Sequence, residues 1–217
     1  MRKRKALLYL GGQYHDFPGF AAACKRFFYK SSWTLDATFD LSILERLLFL
    51  KYDLVIGYTC FTKSNEDKDQ QTPSGLTIEQ VDGLVNYVHR GGGLLGIHSA
   101  TVIGESNSRL SKLFGAEFLT HPPAFSFQVV PVSIEHPMTA DITAFEVFDE
   151  FYIHRFTAPV DIHMISIYEG AAHPFVWSRQ EEQGRVACIT MGHSSQVWSL
   201  DNYNKLVLQS ALWVSGL

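Results

Sequence analysis

The stretch that decides the fold is Gly91–Ala100, GGGLLGIHSA. Its glycines are expected to stop a helix, because glycine enters the left-handed backbone region at no steric cost. Leu94–Ile97 is short and wholly apolar apart from its glycine, and reads as a strand buried on both faces. That strand delivers His98 into a sharp turn between small residues, Gly96, Ser99 and Ala100. In an open α/β sheet the working groups sit beyond the carboxyl ends of the strands. The position matches the strand-to-helix elbow that presents nucleophiles. The residue there is an imidazole, which argues against a serine or thiol hydrolase.

Working outward, Ala6–Leu10 and Asp53–Tyr58 read as two more buried strands. Pro18–Phe28 reads as a helix with proline in its first turn, where a missing N–H costs little. Leu41–Leu50 is apolar at helical spacing, with Asp40 as its N-cap. Thr77 opens a capping box with Gln80, and the helix it starts runs to about Arg90. Between them, Thr59–Gly75 is polar and turn-rich, long enough to be a lid or crossover. The strand–helix alternation predicts an α/β fold with a mostly parallel central sheet and helices on both faces. The second half has another texture. Phe125–Ile134, Phe145–Phe148, Ile162–Tyr168, Phe175–Trp177 and Val186–Thr190 read as further strands, and Gln183-Gly184 as a turn before the last. Asn204–Val214 reads as a closing amphipathic helix. There is no repeat, low-complexity tract or linker, so residues 1–217 are expected to form one domain.

The bulk numbers exclude several functions. Hydrophobic residues make up 46% and charged residues 18%, which describes a globular chain rather than a disordered one. The formal net charge is −4, and the one dense basic run, Arg2–Lys5, reads as a solvated start, so no nucleic-acid partner is expected. No apolar run approaches the roughly 18 residues that span a bilayer, so no membrane partner is expected. Cys24, Cys60 and Cys188 match no metal spacing and cannot all pair, which favours a reducing compartment. With no signal sequence, a cytoplasmic location is the expectation.

The residues that can carry chemistry stand next to strand ends or turns. Gly12, Tyr14 and His15 follow the first strand, where glycines let backbone approach a ligand; a plain tight turn with a helix cap reads as well there. The spacing is not that of a dinucleotide fingerprint. His98 can act as base, hydrogen-bond donor or metal ligand, with Ser99 beside it. His121 follows an apparent short strand and is expected at the cleft, whereas His136 reads as structural. Asp149 and Glu150 are adjacent, so on a strand only one faces the cleft with Tyr152. Glu150 is the choice, to orient or ionise an imidazole. His193 lies in a Gly-His turn after the Val186–Thr190 strand, and Trp198 beyond it suits a pocket wall that stacks on the apolar face of a ring. His89, His154, His163 and His173 read as surface or packing residues. No metal motif occurs, but His15, His98 and His193 would be the ligands if a divalent metal binds.

In order along the chain, GGQYHDF, YDLVIGYTC, LTIEQVDGLVNYVHRGGGLLGIHSA, LFGAEFLTHPP, EHPMTADI, FDEFY and GRVACITMGHSSQVW resemble the ThuA-like (trehalose utilisation) family of the class I glutamine amidotransferase-like superfamily. The resemblance implies a flavodoxin-like three-layer sandwich, with His98 replacing the amidotransferase cysteine. Two departures from the family pattern are Cys60-Phe61-Thr62 and the Ser194 after Gly-His. The resemblance also implies a role in carbohydrate metabolism, on a sugar or keto-sugar of the trehalose type. His98, Glu150, His193 and His15 would then be the catalytic groups. Gly12, Tyr14, Ser99, His121, Tyr152 and Trp198 would bind substrate. A non-catalytic sugar-binding module and a metal-dependent hydrolase are the alternatives. The expected partner is a small carbohydrate, with homo-oligomerisation left open.

Overall fold

The structure is a computed structural model that describes residues 3–29, 33–62 and 72–216. Its parallel strands are β1 (Arg4–Gly12), β2 (Trp33–Thr38), β3 (Leu54–Cys60), β4 (Gly93–Ile97) and β11 (Gly184–Ile189). Antiparallel strands β10 (Ala171–Glu181), β9 (Asp161–Tyr168), β6 (Phe125–Pro131) and β7 (Phe145–Asp149) extend the sheet. The spatial order is β2-β1-β3-β4-β11-β10-β9-β6-β7. A separate antiparallel ribbon joins β5 (Ala116–Thr120) to β8 (Ile153–Phe156).

The apolar runs explain the layering. Side chains alternate across a strand, so in β1 Ala6, Leu8 and Leu10 enter one core while Leu7 and Tyr9 enter the other. β3, β4 and β11 divide in the same way. The first core is closed by α1 (Phe17–Phe28) and α6 (Asp201–Val214) through Phe20, Tyr203 and Leu206. The second is closed by α3 (Ile78–His89) and α4 (Ser108–Phe114) through Leu84, Val88 and Leu113. The result is the three-layer α/β arrangement that the sequence predicts. No helix among the described residues is long and apolar enough to cross a membrane.

Local signals place the helix starts. Asp16 accepts from Gly19 N at 2.9 Å to cap α1. Thr77 and Gln80 form a reciprocal capping box, at 3.1 and 3.2 Å. α3 then ends at Arg90, where Gly91 takes φ +98°.

Several elements differ from expectation. Leu41–Leu50 is not one helix but a 3₁₀ segment, Leu41–Arg46, followed by the single turn α2 (Leu47–Leu50). It is pressed against α3 so closely that a Cβ on Gly83 would fall 2.0 Å from Leu44 O. β2, α4 and β8 carry too little apolar periodicity to stand out. Most of the polar Thr59–Gly75 stretch, including Lys63 and Glu66–Asp69, lies outside the described residues.

One buried histidine sets a pH dependence. His163 Nε2 lies 2.7 Å from Ser178 Oγ, and its ring stacks on His136 with centroids 4.0 Å apart. Burial, then the charge of His136, pushes its pKa down from 6.5 to about 4. The unfolded chain therefore binds more protons than the native one between these values, and stability falls as pH falls through that window. Urea unfolding midpoints at pH 7 and pH 4.5 are expected to show this loss, and the His163→Gln variant to show a smaller one. Equal pH slopes in the two proteins would dismiss the account.

Candidate functional site

Four strand ends deliver the site. After β1, Gly12 takes φ +103°, and a Cβ there would sit 1.9 Å from Cys60 O, so the turn requires glycine. Tyr14 follows at φ +67°, and His15 points back over the sheet with Nδ1 2.9 Å from Gln13 O. After β4, His98 adopts φ +46°, a left-handed conformation that costs of order 1–3 kcal/mol in a non-glycine residue. Its Nδ1 is 2.8 Å from Thr190 O, just past β11. A carbonyl only accepts, so in both rings Nδ1 carries the hydrogen. In the neutral rings Nε2 then presents a lone pair. After β11, Gly192 takes φ +135° and turns His193 toward the other two rings.

The fourth contribution comes from β7, on the far edge of the sheet. Asp149 is buried, and its carboxylate accepts from Gly192 N at 2.6 Å, Glu150 N at 2.9 Å and His193 N at 3.2 Å. This brings Glu150 to the histidines. Glu150 Oε2 lies 3.3 Å from both His98 Nε2 and His193 Nδ1, and its Oε1 lies 3.8 Å from His121 Nε2. The centroids of the His15, His98 and His193 rings are 4.8–5.5 Å apart. Tyr152 is sandwiched between His98 and His121, at 4.4 and 5.5 Å.

The electrostatics follow from this packing. Burial, then the charge of His98, lowers the His15 pKa to about 3 and keeps that ring neutral. Burial would raise the Glu150 carboxyl, but the imidazoles of His193 and His98 beside it outweigh that and hold it well below the usual carboxylate range. The Glu150 carboxylate in turn raises His193. Burial, reinforced by Glu150, pushes the Cys60 thiol up to about 12, and Cys188 is raised as well by burial. Neither thiol is positioned or ionised to act as a nucleophile.

The structure thus brings together His15, His98, Glu150 and His193, with His121 and Tyr152 against them. His98 forms the floor, 1% exposed, while the other three of that set are half-buried and face the opening. Tyr14 stands at the rim, 63% exposed. Two expected contacts are corrected. Trp198 is in the core, its Nε1 donating to Gly192 O at 2.6 Å, and so braces the His193 turn from behind instead of forming a wall. Ser99 is fully buried behind the turn. The pair Asp149–Glu150 does not divide between two strand faces: Glu150 lies beyond β7, and both carboxylates serve the site. Asp149 is the residue that the sequence reading missed, since its role depends on backbone amides 43 and 44 residues away. His89 pairs with Glu181, His154 Nε2 lies 3.0 Å from Thr101 Oγ1, and His136 caps a 3₁₀ turn, all outside the cluster.

A family model described as ThuA, trehalose utilisation, matches residues 5–214. Among solved structures, a ThuA-like protein from Bacteroides uniformis is 21% identical with a TM-score of 0.76, over 98% of this chain and 91% of that one. A ThuA-like protein from Parabacteroides merdae is 16% identical with a TM-score of 0.76, over 98% and 90%. A cytoplasmic protein from Salmonella typhimurium is 15% identical with a TM-score of 0.68, over 96% and 99%. No curated protein matches the sequence.

Removing the Asp149 carboxylate strands three backbone N–H groups, two of which fix the His193 turn. Asp149→Ala is expected to lower stability by about 2–5 kcal/mol, since each buried unsatisfied donor costs roughly 1–3 kcal/mol. Urea unfolding measures this directly, and a change below about 1 kcal/mol would show that the clamp is energetically idle.

Proposed function

The chain belongs to the ThuA family, whose description is trehalose utilisation, and from that premise we propose that it is an enzyme acting on a sugar or keto-sugar by proton transfer. The observation that carries the reading is the meeting of His15, His98, Glu150 and His193 at one point. The four come from separate strand ends, and their ligating atoms lie within 4.8 Å of one another. Of the histidines outside the cluster, His89 pairs with Glu181 and His163 with Ser178 Oγ, while His154 bonds Thr101 through Nε2 and leaves only its Nδ1 unpartnered. Here the buried His15 Nε2, His98 Nε2 and His193 Nδ1 have no hydrogen-bond partner among the described residues. Buried polar atoms left so cost free energy, and their convergence is what a site for a polar substrate group requires.

In this reading the apolar face of a sugar ring rests on exposed Tyr14 at the rim. The carbonyl oxygen of the sugar enters beside His193, whose charged form is favoured by the Glu150 carboxylate and which holds the negative charge that develops on that oxygen. A C–H next to a carbonyl is acidic enough for a nitrogen base to remove its proton once that oxygen is polarised. His98 Nε2 is the base, held in register by the Nδ1–H bond to Thr190 O. Glu150 orients the imidazole and stabilises the imidazolium that forms. Isomerisation, epimerisation and elimination share this first step. Glutaminase chemistry by a thiolate is not part of it, because the elbow carries an imidazole.

The test is proton exchange. The protein is incubated in deuterated water with trehalose-type disaccharides and their 3-keto forms, and nuclear magnetic resonance follows deuterium at the carbon beside the carbonyl. The wild-type protein is expected to catalyse exchange. His98→Asn and Glu150→Gln should each slow it by about 10²–10⁴-fold, the usual worth of general acid–base catalysis, with the circular dichroism spectrum unchanged. Full exchange by His98→Asn would reject the assignment.

A further inference from the structure

We infer that His15, His98, His193 and Glu150 hold one divalent transition-metal ion, with zinc-type ligation through three imidazole nitrogens and one carboxylate oxygen. This rests on the reading of the cluster as a reactive centre and names what polarises the substrate oxygen there. The first argument is the unpartnered nitrogens. His98 is 1% exposed, and its Nε2 points into the cluster without a hydrogen bond. His15 Nε2 and His193 Nδ1, both buried atoms, do the same. His15 and His98, each with its Nδ1–H on a carbonyl, aim Nε2 lone pairs into the cluster beside His193 Nδ1, and two neutral rings so aimed have no hydrogen to share. A cation resolves all three at once.

The second argument is distance. Bonds of about 2.0–2.1 Å from a tetrahedral zinc put neighbouring ligand atoms about 3.3 Å apart. Glu150 Oε2 is 3.3 Å from His98 Nε2 and 3.3 Å from His193 Nδ1. Both spacings are long for a charge-assisted hydrogen bond, which runs at about 2.7–2.9 Å, and right for an edge of such a coordination shell. All four donor atoms fall within 4.8 Å of one another, so small ring movements close the set.

The third argument is the surrounding support. Metal-bound histidines usually donate their other ring N–H to a carbonyl or carboxylate, which fixes the tautomer. His98 Nδ1 faces Thr190 O at 2.8 Å and His15 Nδ1 faces Gln13 O at 2.9 Å. The His193 turn is clamped by Asp149 through its own amide and that of Gly192. The nitrogen-rich donor set selects a borderline ion such as zinc, iron(II), cobalt or nickel over magnesium or calcium, which prefer all-oxygen shells. With the ion in place, His98 Nε2 is a ligand and gives up the base role to a group outside the shell, and the polarising role given to His193 passes to the cation. His121, 3.8 Å from the outer oxygen Oε1 of Glu150, is left outside the shell.

The test uses the full chain made without a histidine tag. Elemental analysis is expected to give about one transition-metal ion per chain, consistent with a single site. After stripping with a chelator, zinc titrated into the protein should bind in calorimetry at one site and raise the unfolding temperature. His15→Ala/His193→Ala and Glu150→Gln should lose at least about 100-fold in zinc affinity, more than an outer-shell change typically costs. His89→Ala, remote from the cluster, should bind as the parent does. X-ray absorption of the zinc-loaded parent gives a readout that does not depend on any variant folding. It should show nitrogen and oxygen neighbours with imidazole scattering. No zinc binding, equal binding by His15→Ala/His193→Ala, or a sulfur shell would each overturn the inference. Sugar exchange that persists in fully stripped protein would overturn it while leaving the proposed function standing. Stoichiometric zinc in a protein with no sugar exchange would support it and remove the proposed function.

Discussion

The buried carboxylate of Asp149 ties two halves of one sheet together at the point where His15, His98, Glu150 and His193 gather. It sits at the end of an edge strand, four places away from β11 in the sheet order. Yet it accepts the amides of Gly192 and His193 that follow β11. The same carboxylate accepts the amide of Glu150. One buried group therefore sets the backbone of two of the four cluster residues. Burial raises its pKa, and three N–H donors and nearby His98 act against that rise. A hydroxyl or amide could not satisfy three donors in this way, since each also brings a donor that would need its own partner.

The other two members are held by backbone strain rather than by a carboxylate. His98 is left-handed, and its position is over-determined by β4 on one side and the Thr190 carbonyl on the other. Space around it is allotted by small residues. A Cβ on Gly192 would fall 2.5 Å from Tyr203 Oη, and one on Gly96 would fall 2.9 Å from Phe114. Tyr152 closes the remaining side by stacking on the His98 ring. Each ring nitrogen is thus aimed by groups that do no chemistry themselves, which is how a site acquires fixed geometry at low reorganisation cost.

Much of this was legible in the residues. The buried parallel strands announce themselves as apolar runs, the α3 start as a capping box, and the elbow as a histidine among small residues. All four cluster histidine and carboxylate positions stand beside strand ends, and strand ends are where α/β sheets work. What escaped the sequence was set by contacts across the chain. β2 is a polar edge strand whose burial is confined largely to Trp33, so alternation is faint. Leu41–Leu50 has helical spacing, but its approach to Gly83 fixes a tighter helix. An aromatic that follows a Gly-His turn suggests a pocket wall at Trp198. Its indole N–H instead finds Gly192 O from the core side. Strand alternation sends Asp149 and Glu150 to opposite faces and so admits only one to the cleft, whereas here the strand ends between them.

The residue at the elbow also explains why the site is spread over so many elements. A thiol there would need little more than a base and backbone donors, because its nucleophile forms the new bond itself. An imidazole held with Nδ1–H on a carbonyl offers one lone pair and no second function. In the proposed proton transfer it needs other groups to polarise a substrate oxygen and to balance charge, and those must come from other strand ends. The turns after β1 and β11 and the end of β7 supply them, and Cys60 and Cys188, buried and protonated, supply nothing in their place. Chemistry on this scaffold therefore follows from the set of side chains that the strand ends bring together, not from the sheet that carries them.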